Sequence, residues 1–419
     1  MIECVAAPAL SNTDPQIVMD VVLQPIVSVA RRQIVGFEGL SRGYRCNGSS
    51  VQIQELFTRA RDDGTILEFD RGCRERCMQR FSQIEDFSNS LYLFVNLDTS
   101  ILDIVSNTDY LFRQARRHNL LPQQVVIEIN ESNAVNTERL VQFSELYKQH
   151  GFLIALDDIG AGYSNLERLA IVKPDIVKLD RSLIDGIESN YYKQEIFKSM
   201  VHMASKIGAI VVAEGVETME QANAALEFGA HLLQGYLFSR PMPVEKFDFA
   251  GFQRKIDRYA SLFSSHIRMK INQEKQAKRK MDTLAGSLAR SLCKAEMDGF
   301  TAILHRFADK NADSSVECVY VLNRVGLQVS DTVFLTRMDN NRKGMLFFPA
   351  AKGSNHELKP YYYEMMNAGM TKYISSAYIS HASGNVCETY TRLFHTLLGE
   401  GFILCMDILQ QGNESLFLR

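Results

Sequence analysis

The chain has 419 residues, of which 46% are hydrophobic and 23% are charged. This length exceeds what one compact core usually holds, so we expect two or three globular domains. The net charge of −3 disfavours extended binding to DNA or RNA, which usually requires a strongly basic surface. A single nucleotide-sized anion stays compatible with this charge, because a small site needs only a few local cations.

The cysteines bear on the redox state of the chain, and its first residues bear on its location in the cell. Of the eight cysteines, the nearest two are Cys73 and Cys77, and no second Cys or His pair accompanies them. A zinc site is therefore disfavoured, and we expect reduced thiols. The start, MIECVAAPAL, lacks a basic segment followed by a long apolar run, and no stretch reaches the ~20 apolar residues that span a bilayer. We expect a cytoplasmic protein with no direct membrane span.

Short apolar runs alternate with helical patterns from residue 20 to residue 243. The runs lie at 21–26, 34–38, 91–96, 125–130, 152–157, 176–180, 210–214 and 232–233. Most are apolar at both odd and even positions, which is typical of strands buried on both faces. About eight βα units of this kind predict an α/β fold with a parallel sheet, a (β/α)8 TIM barrel. A doubly wound open sheet is the alternative, although no glycine-rich phosphate loop follows any strand.

Helix signals lie between the apolar runs. Asn136 predicts the start of a helix that Gly151 ends, and Thr218 with Gln221 predicts a capping box. An apolar stripe predicts a further helix, at Ile196, Met200, Ala204 and Ile207.

The pattern changes after residue 245. Residues 246–307 are helical in pattern, with a mixed-charge run at 268–280 that indicates a solvated helix face. Beyond them, CVYVLNRVGLQVSDTVFL and GFILCMDIL are strand-like, and YYYEMMNAGM between them is helix-like. We therefore predict a barrel domain at 1–245, a helical linker at 246–307 and a smaller α+β domain at 308–419.

Nearly every predicted strand ends with a polar residue, and in a barrel such residues face the active site. These residues are Glu38, Asn96, Glu128, Asp157, Asp158, Lys178, Glu214 and Gln234. One acidic residue after an apolar run is usually a helix cap, but several that converge would repel one another without a cation. Oxygen ligands of this type suit Mg²⁺ or Mn²⁺, and a pair of such ions can promote phosphoryl transfer. The residues alone thus indicate a metal-dependent phosphoester hydrolase, with Lys178 stabilising charge or orienting water.

Eight sequence motifs follow one another between about residue 20 and residue 245: LQPIVSV, FEGLSR, VNLD, VIEINES, ALDDIGAGYSNLERL, KPDIVKLDRSLI, VVAEGVET and QGYLFSRPMP. In these motifs and their order, the chain resembles the EAL domain, a TIM barrel that hydrolyses cyclic di-GMP to linear pGpG. It covers over half of the chain.

The resemblance implies a cofactor and a role for each matching residue. Two Mg²⁺ or Mn²⁺ ions would be bound by Glu38, Asn96, Glu128, Asp157, Asp158 and Glu214, and Ca²⁺ would inhibit. Catalytic roles fall on Lys178, Glu214 and Glu38. Contacts to cyclic di-GMP fall on Gln24, Leu40, Arg42, Asp180, Gln234 and Pro241, with Arg42 on a phosphate. Glu131 would support the loop at 157–165.

The chain departs from the family's pattern at a few positions, none of which is a metal ligand. Its signature has Gly39 where the family has Ala, and the other differences concern residues at strand ends and in the loop at 157–165. They are Asp98 and Asn130, in place of Ser and Thr, and Ile159 and Ala161, in place of Phe and Thr. Two alternatives stay open: a receptor that binds cyclic di-GMP without turnover, and a barrel hydrolase that acts on another phosphodiester.

The tail has a resemblance of its own. YISSAYISHASGNVCETYTRLF followed by GFILCMDIL resembles PAS or Cache-type sensory domains. This implies a small ligand or a protein partner at the C-terminal domain, and a plain packing domain is the alternative. The EAL resemblance further implies a homodimer that pairs through the region after residues 157–158.

Overall fold

The computed structural model describes residues 17–45, 47–84, 90–104, 108–130, 136–161, 166–312, 315–335, 350–380 and 383–410. The chain divides into two compact units, Met1–His266 and Ile267–Arg419. Across the described residues, no helix combines the length and the apolar character that a membrane crossing requires. The predicted boundaries at residues 245 and 307 stay predictions, and the division between the units falls inside one long helix.

A closed barrel of eight strands forms the core of the first unit. Its described strands are β1 (Ile17–Ser28), β2 (Gln33–Arg45), β3 (Ser50–Val51), β4 (Tyr92–Leu97), β5 (Val125–Asn130), β6 (Leu153–Ile159), β7 (Ile176–Leu179), β8 (Ile210–Ala213) and β9 (Leu232–Gln234). The order around the barrel is β1-β9-β8-β7-β6-β5-β4-β2, the pairing of β1 with β2 closes it, and β3 extends β2 outside the ring. The predicted eight-stranded barrel is confirmed.

Helices alternate with these strands. They are α1 (Ile53–Asp62), α2 (Ile66–Phe81), α3 (Tyr110–Arg117), α4 (Thr137–Gln149), α5 (Leu166–Val172), α6 (Arg181–Ile184), α7 (Tyr191–Lys206) and α8 (Met219–Glu227), with 3-10 turns at Thr99–Asp103, Pro122–Gln124 and Val244–Lys246. The long helix α9 (Phe249–Leu292) continues from this unit into the second.

The prediction of a parallel sheet is wrong for β1. This strand pairs antiparallel with both β2 and β9, whereas β2, β4, β5, β6, β7, β8 and β9 pair parallel. Only residues 29–32 separate β1 from β2. That connection is too short for a crossover helix, so β2 must turn back as a hairpin. The resulting register places Gln24 opposite Glu38.

The three predicted helices are confirmed, although the apolar stripe predicted on the third is not its buried face. The Asn136 side chain accepts hydrogen bonds from the first backbone N–H groups of α4, and Thr218 and Gln221 form the capping box of α8. On α7, however, Ile196 and Ile207 are 51% and 48% exposed. The buried face of α7 consists of Tyr191, Phe197, Val201 and Ala204. Because α7 carries apolar residues on two neighbouring faces, periodicity alone selected the wrong one.

The second unit is an α+β arrangement around one antiparallel sheet. Its described elements are the 3-10 turn Met297–Gly299, α10 (Phe300–Lys310), β10 (Val316–Asn323), β11 (Val333–Phe334), α11 (Pro360–Asn367), β12 (Lys372–Ile374), β13 (Tyr378–Ile379), β14 (Val386–His395) and β15 (Gly401–Leu409). The order is β11-β10-β15-β14-β12, and β13 pairs with β14. One apolar cluster joins the sheet to α10 and the end of α9, and a second joins it to α11.

The buried Asp407 makes the stability of the second unit depend on pH. The Thr389 hydroxyl donates a 2.8 Å hydrogen bond to this buried carboxylate, and burial raises the pKa of Asp407 from 3.8 to about 6. Because the folded state binds the proton more tightly than the unfolded chain does, stability falls as pH rises through this interval. The free energy of unfolding falls by about 3 kcal/mol across this interval. We therefore expect Asp407→Asn to raise the melting temperature relative to wild type at pH 7.5 but not at pH 4.5.

Scanning calorimetry at the two pH values tests this expectation, with the exposed Asp331 replaced by Asn as the control. An equal difference between Asp407→Asn and wild type at both pH values would show that Asp407 does not titrate in this interval.

Candidate active site at the barrel rim

Lys178 lies at the centre of a cluster of carboxylates. Its side chain is 1% exposed, and its Nζ lies 2.5 Å from Glu128 Oε1, 2.7 Å from Glu214 Oε1, 3.0 Å from Asp157 Oδ1 and 3.4 Å from Glu38 Oε2. Four of these residues lie on β7, β5, β6 and β2, and Glu214 follows β8 directly. The strand ends of the barrel therefore bring together residues that are up to 176 positions apart in sequence.

Two amide side chains bind Glu38 directly, and a third, Gln24, contacts one of these two. Gln234 Nε2 donates to Glu38 Oε2 at 2.6 Å, and Asn96 Nδ2 donates to Glu38 Oε1 at 3.1 Å. Gln234 Nε2 also lies 3.3 Å from Gln24 Oε1, and Gln24 donates to the Ser239 carbonyl at 3.2 Å. Strands β1, β2, β4 and β9 thus hold this carboxylate in one place.

Asp158 adds a fifth carboxylate to the rim. Its φ is +57°, a left-handed conformation that is uncommon outside glycine. The pairing of β6 with β7 is irregular between Leu156 and Ile159, and such irregularities can redirect a side chain. Asn130 donates a hydrogen bond to Asp158. Carboxylate oxygens of Asp157, Asp158 and Glu214 all lie within 4.8 Å of one another.

The cluster shifts the pKa values of its members in ways that follow from burial and charge. Burial raises the pKa of Glu128 well above its usual value, and the Glu38 carboxylate raises it further. Burial likewise raises the pKa of Glu214, with Lys178 opposing. Burial would also raise the pKa of Glu38, but Lys178, Gln234 and Asn96 lower it overall. Burial opposes the charged form of Lys178, yet the surrounding carboxylates raise its pKa well above the usual value, so the ammonium is retained.

The donor set fits divalent cations. One ammonium faces five carboxylates, so the cluster has a large excess of negative charge when these groups are ionised. Glu128 is fully buried, and its Oε2 accepts no hydrogen bond from the residues that the structure describes. A buried oxygen without a partner costs free energy unless something else satisfies it. Carboxylate and amide oxygens are the ligands that Mg²⁺ and Mn²⁺ prefer.

Two clefts meet at this cluster. The larger has a volume of about 460 Å³ and includes Glu38, Leu40, Arg42, Asn96, Asp157 and Asp158 in its lining. The smaller, of about 280 Å³, includes Gln24, Glu38, Leu40, Asp157, Asp158, Lys178, Asp180, Glu214 and Gln234. Pro241, predicted to contact substrate, lines neither cleft. Glu131, predicted to support the loop at 157–165, lies outside the described residues.

Sequence reasoning missed further residues of the clefts. Arg61 lines the larger one, and Arg181 and Tyr236 line the smaller one. Arg61 lies on the surface helix α1, and no local pattern distinguishes it from the neighbouring Arg59. Only the packing of α1 beside the barrel rim brings Arg61 to the cleft.

The glycine in the Glu-Gly-Leu signature has a local cause. A Cβ at Gly39 would lie 2.8 Å from Cys77 Sγ and 2.9 Å from Cys77 Cβ, closer than side chains tolerate. Cys77 lies on α2 and is buried against β2. The small residue at position 39 therefore makes room for Cys77.

We expect Gly39→Ala to lower the free energy of unfolding by about 1–3 kcal/mol, because this part of the core has no space for the added methyl group. Urea unfolding measures the loss in the wild-type background and in a Cys77→Gly background. The loss should shrink in the second background, since both crowding atoms are then absent. An equal loss in both backgrounds would mean that the two residues are not coupled.

Comparison with models of protein families identifies the family of the barrel. Residues 16–241, more than half of the chain, match the model of the EAL domain. The chain belongs to the EAL-domain family. The predicted resemblance is therefore confirmed for the barrel, whereas the PAS or Cache-like resemblance of the tail stays a prediction.

Two bacterial proteins illustrate the similarity in sequence. The chain is 29% identical over 235 residues to the probable cyclic di-GMP phosphodiesterase PdeB of Escherichia coli (strain K12), an alignment that covers 54% of this chain and 43% of PdeB. It is 24% identical over 379 residues to the uncharacterised EAL-domain containing protein YkuI of Bacillus subtilis (strain 168), covering 88% and 89% of the two chains. The chain thus spans less than half the length of PdeB.

Solved structures support the EAL-type fold. The crystal structure of Bacillus subtilis YkuI, in complex with c-di-GMP and calcium, matches 94% of this chain and 96% of its own, with a TM-score of 0.76 and 21% identity. The PaMucR phosphodiesterase, in complex with c-di-GMP, matches 57% of this chain and 96% of its own, with a TM-score of 0.50 and 26% identity.

Proposed function

We propose that this EAL-domain protein hydrolyses cyclic di-GMP to linear pGpG with the help of two divalent cations. The observation that carries the proposal is the convergence of four carboxylates on one buried lysine at the rim of the barrel, with a fifth carboxylate, Asp158, beside two of them. PdeB, a similar protein, is a probable cyclic di-GMP phosphodiesterase. PaMucR, whose structure is similar, is a phosphodiesterase in complex with c-di-GMP.

The carboxylates divide into two groups that suit two Mg²⁺ or Mn²⁺ ions. In the proposal, one ion is bound by Glu38, Asn96, Glu128 and Asp157, and the other is bound by Asp157, Asp158 and Glu214. The unpartnered Glu128 Oε2 supports the first group, and the 4.8 Å clustering of the three carboxylates supports the second. When bound, such ions stabilise charge on phosphoryl oxygens and supply a nucleophilic water.

The residues of the chain would position the diester and offset the negative charge that develops on it. Lys178 carries a proton, and its ammonium can orient the attacking water and offset negative charge that develops in the transition state. The Arg42 guanidinium lines the larger cleft and can donate two hydrogen bonds to a phosphate. Gln24, Leu40, Asp180 and Gln234 line the smaller cleft and would contact the remainder of the dinucleotide.

Chromatography of the nucleotides after incubation with the purified chain tests the proposal. Cyclic di-GMP should convert to pGpG with Mn²⁺ or Mg²⁺, and EDTA should stop the conversion. We propose that Ca²⁺ supports binding but inhibits turnover. Binding without any product in Mn²⁺ would indicate the receptor alternative, and hydrolysis of other cyclic nucleotides in preference would indicate a different phosphodiesterase.

The division of the chain into 1–245, 246–307 and 308–419 is also part of the proposal. The antiparallel sheet of the second unit, with helices on both faces, supports a PAS or Cache-like domain that binds a small ligand or a protein partner. We further propose that the protein is a homodimer. Light scattering coupled to gel filtration would give its mass in solution.

A further inference from the structure

Arg61 is a cationic residue of the larger cleft that the proposed chemistry leaves without a role. Helix α1 lines this cleft with Ile53, Gln54, Phe57, Thr58 and Arg61. These positions follow the spacing of one helix face, so Arg61 is part of a continuous wall. The same cleft extends to Glu38 and Asp157 of the carboxylate cluster. A ligand that occupies the cluster and fills the cleft would therefore reach Arg61.

The guanidinium of Arg61 is held in place by Asp98. One of its terminal nitrogens forms an ion pair with Asp98 Oδ2, and the Asp98 side chain is only 5% exposed. Asp98 Oδ1 accepts hydrogen bonds from the Ser100 N–H at 3.0 Å and the Ser100 hydroxyl at 2.6 Å. The Asp98 N–H donates to Asp70 Oδ1 at 3.1 Å. Hydrogen bonds to Ser100 and Asp70 thus hold Asp98 in place. Asp98 in turn holds the Arg61 guanidinium in position before a ligand binds.

Beneath Asp98, a buried ion pair makes this support rigid. Asp70 and Arg74 are 2% and 5% exposed and form an ion pair along one face of α2. The contacts run from Arg74 through Asp70 and the Asp98 backbone to Arg61. Holding an arginine in advance lowers the entropy lost when it binds a ligand.

Arg61 keeps donors available to the cleft. Its side chain is 41% exposed, and the ion pair with Asp98 uses one nitrogen of a planar group that carries five N–H donors. Phe57, one helical turn before Arg61, supplies apolar surface to the cleft, and so do Ile53 and Leu40. Flat apolar contact beside a fork of donors suits a purine base that carries two adjacent acceptors on one edge.

Guanine has this arrangement, since O6 and N7 both accept hydrogen bonds, and in protein–DNA complexes arginine bound to that pair is the commonest specific contact to a base. Adenine presents an amino donor in place of O6 and would face the guanidinium unfavourably. We propose that Arg61 binds the O6/N7 edge of one guanine of cyclic di-GMP and selects guanine over adenine dinucleotides. This inference rests on the proposed function, because it requires the dinucleotide to occupy the carboxylate cluster.

Kinetics with cyclic di-GMP and cyclic di-AMP test the inference in Arg61→Ala and Arg61→Lys. For Arg61→Ala, kcat/KM on cyclic di-GMP should fall about 10- to 100-fold, mainly through KM, with little change on cyclic di-AMP. Arg61→Lys keeps the charge but lacks the fork of donors, so most of the base preference should still be lost. Arg59→Ala is the matched control, because Arg59 lies on the same helix, pairs with Glu55 and does not line the cleft.

Calorimetry of the full chain with Ca²⁺ and each dinucleotide separates this inference from the proposed function. If the wild type binds cyclic di-GMP and Arg61→Ala binds it equally well, the inference fails and the proposed function stands. An equal loss on both dinucleotides would assign Arg61 to a phosphate and would also overturn the inference. If the wild type binds no cyclic di-GMP, both are overturned.

Discussion

Replacing Lys178 with methionine is expected to abolish phosphodiester hydrolysis and to lower the free energy of unfolding of the metal-free protein by about 3–5 kcal/mol. Methionine is of similar length but carries no charge. Nζ lies within 3.4 Å of oxygens from Glu38, Glu128, Asp157 and Glu214. Without the ammonium, these buried carboxylates would repel one another with no counter-charge nearby.

The same variant should respond strongly to metal. Mn²⁺ is expected to raise the melting temperature of Lys178→Met by more than that of the wild type, because bound cations would replace the missing positive charge. Lys206→Met, at an exposed position on α7, is the control and should resemble the wild type in both stability and turnover. Wild-type stability of metal-free Lys178→Met would show that the lysine does not hold the carboxylates together.

Replacing Glu128 with glutamine is expected to lower turnover about 10³-fold, which corresponds to about 4 kcal/mol of transition-state stabilisation. Glutamine has the same shape but lacks the negative charge that a divalent cation requires. The metal-free protein should not lose stability, because burial and Glu38 already disfavour the ionised form of Glu128. Loss of turnover without loss of stability is therefore the expected combination.

Turnover assays and thermal unfolding of the metal-free protein measure the two expected consequences of Glu128→Gln, and calorimetric titration with Mn²⁺ measures the weakened binding of metal. Glu217→Gln is the matched control, since Glu217 lines the smaller cleft but is exposed, pairs with Arg181 and is not among the proposed metal ligands. Turnover of Glu128→Gln at the wild-type rate would remove Glu128 from the proposed metal site.

Much of the barrel could be predicted because its strands are buried on both faces. The run at 125–130 is apolar at most of its positions, odd and even, so the charged Glu128 within it is conspicuous. The parallel arrangement then requires strand ends to meet at one rim, which is why residues distant in sequence were expected to converge. The reversed direction of β1 follows from the length of the connection at 29–32, a signal that periodicity does not contain.

Other features depend on tertiary packing and have no local signal. Arg61 and Arg59 have the same residue type on the same helix, and only the placement of α1 distinguishes them. The left-handed conformation of Asp158 depends on an irregularity in how β6 pairs with β7. The crowding between Gly39 and Cys77 joins two elements whose contact the sequence does not state.

In the proposed function, the rim carboxylates hold divalent cations against a phosphodiester. Anomalous scattering from crystals grown with Mn²⁺ and cyclic di-GMP tests it most directly. We predict two manganese peaks, one beside Glu38, Glu128 and Asp157 and the other beside Asp158 and Glu214, with a phosphate of the nucleotide in contact with both. The absence of manganese from these side chains, in crystals where cyclic di-GMP is bound, would contradict the account.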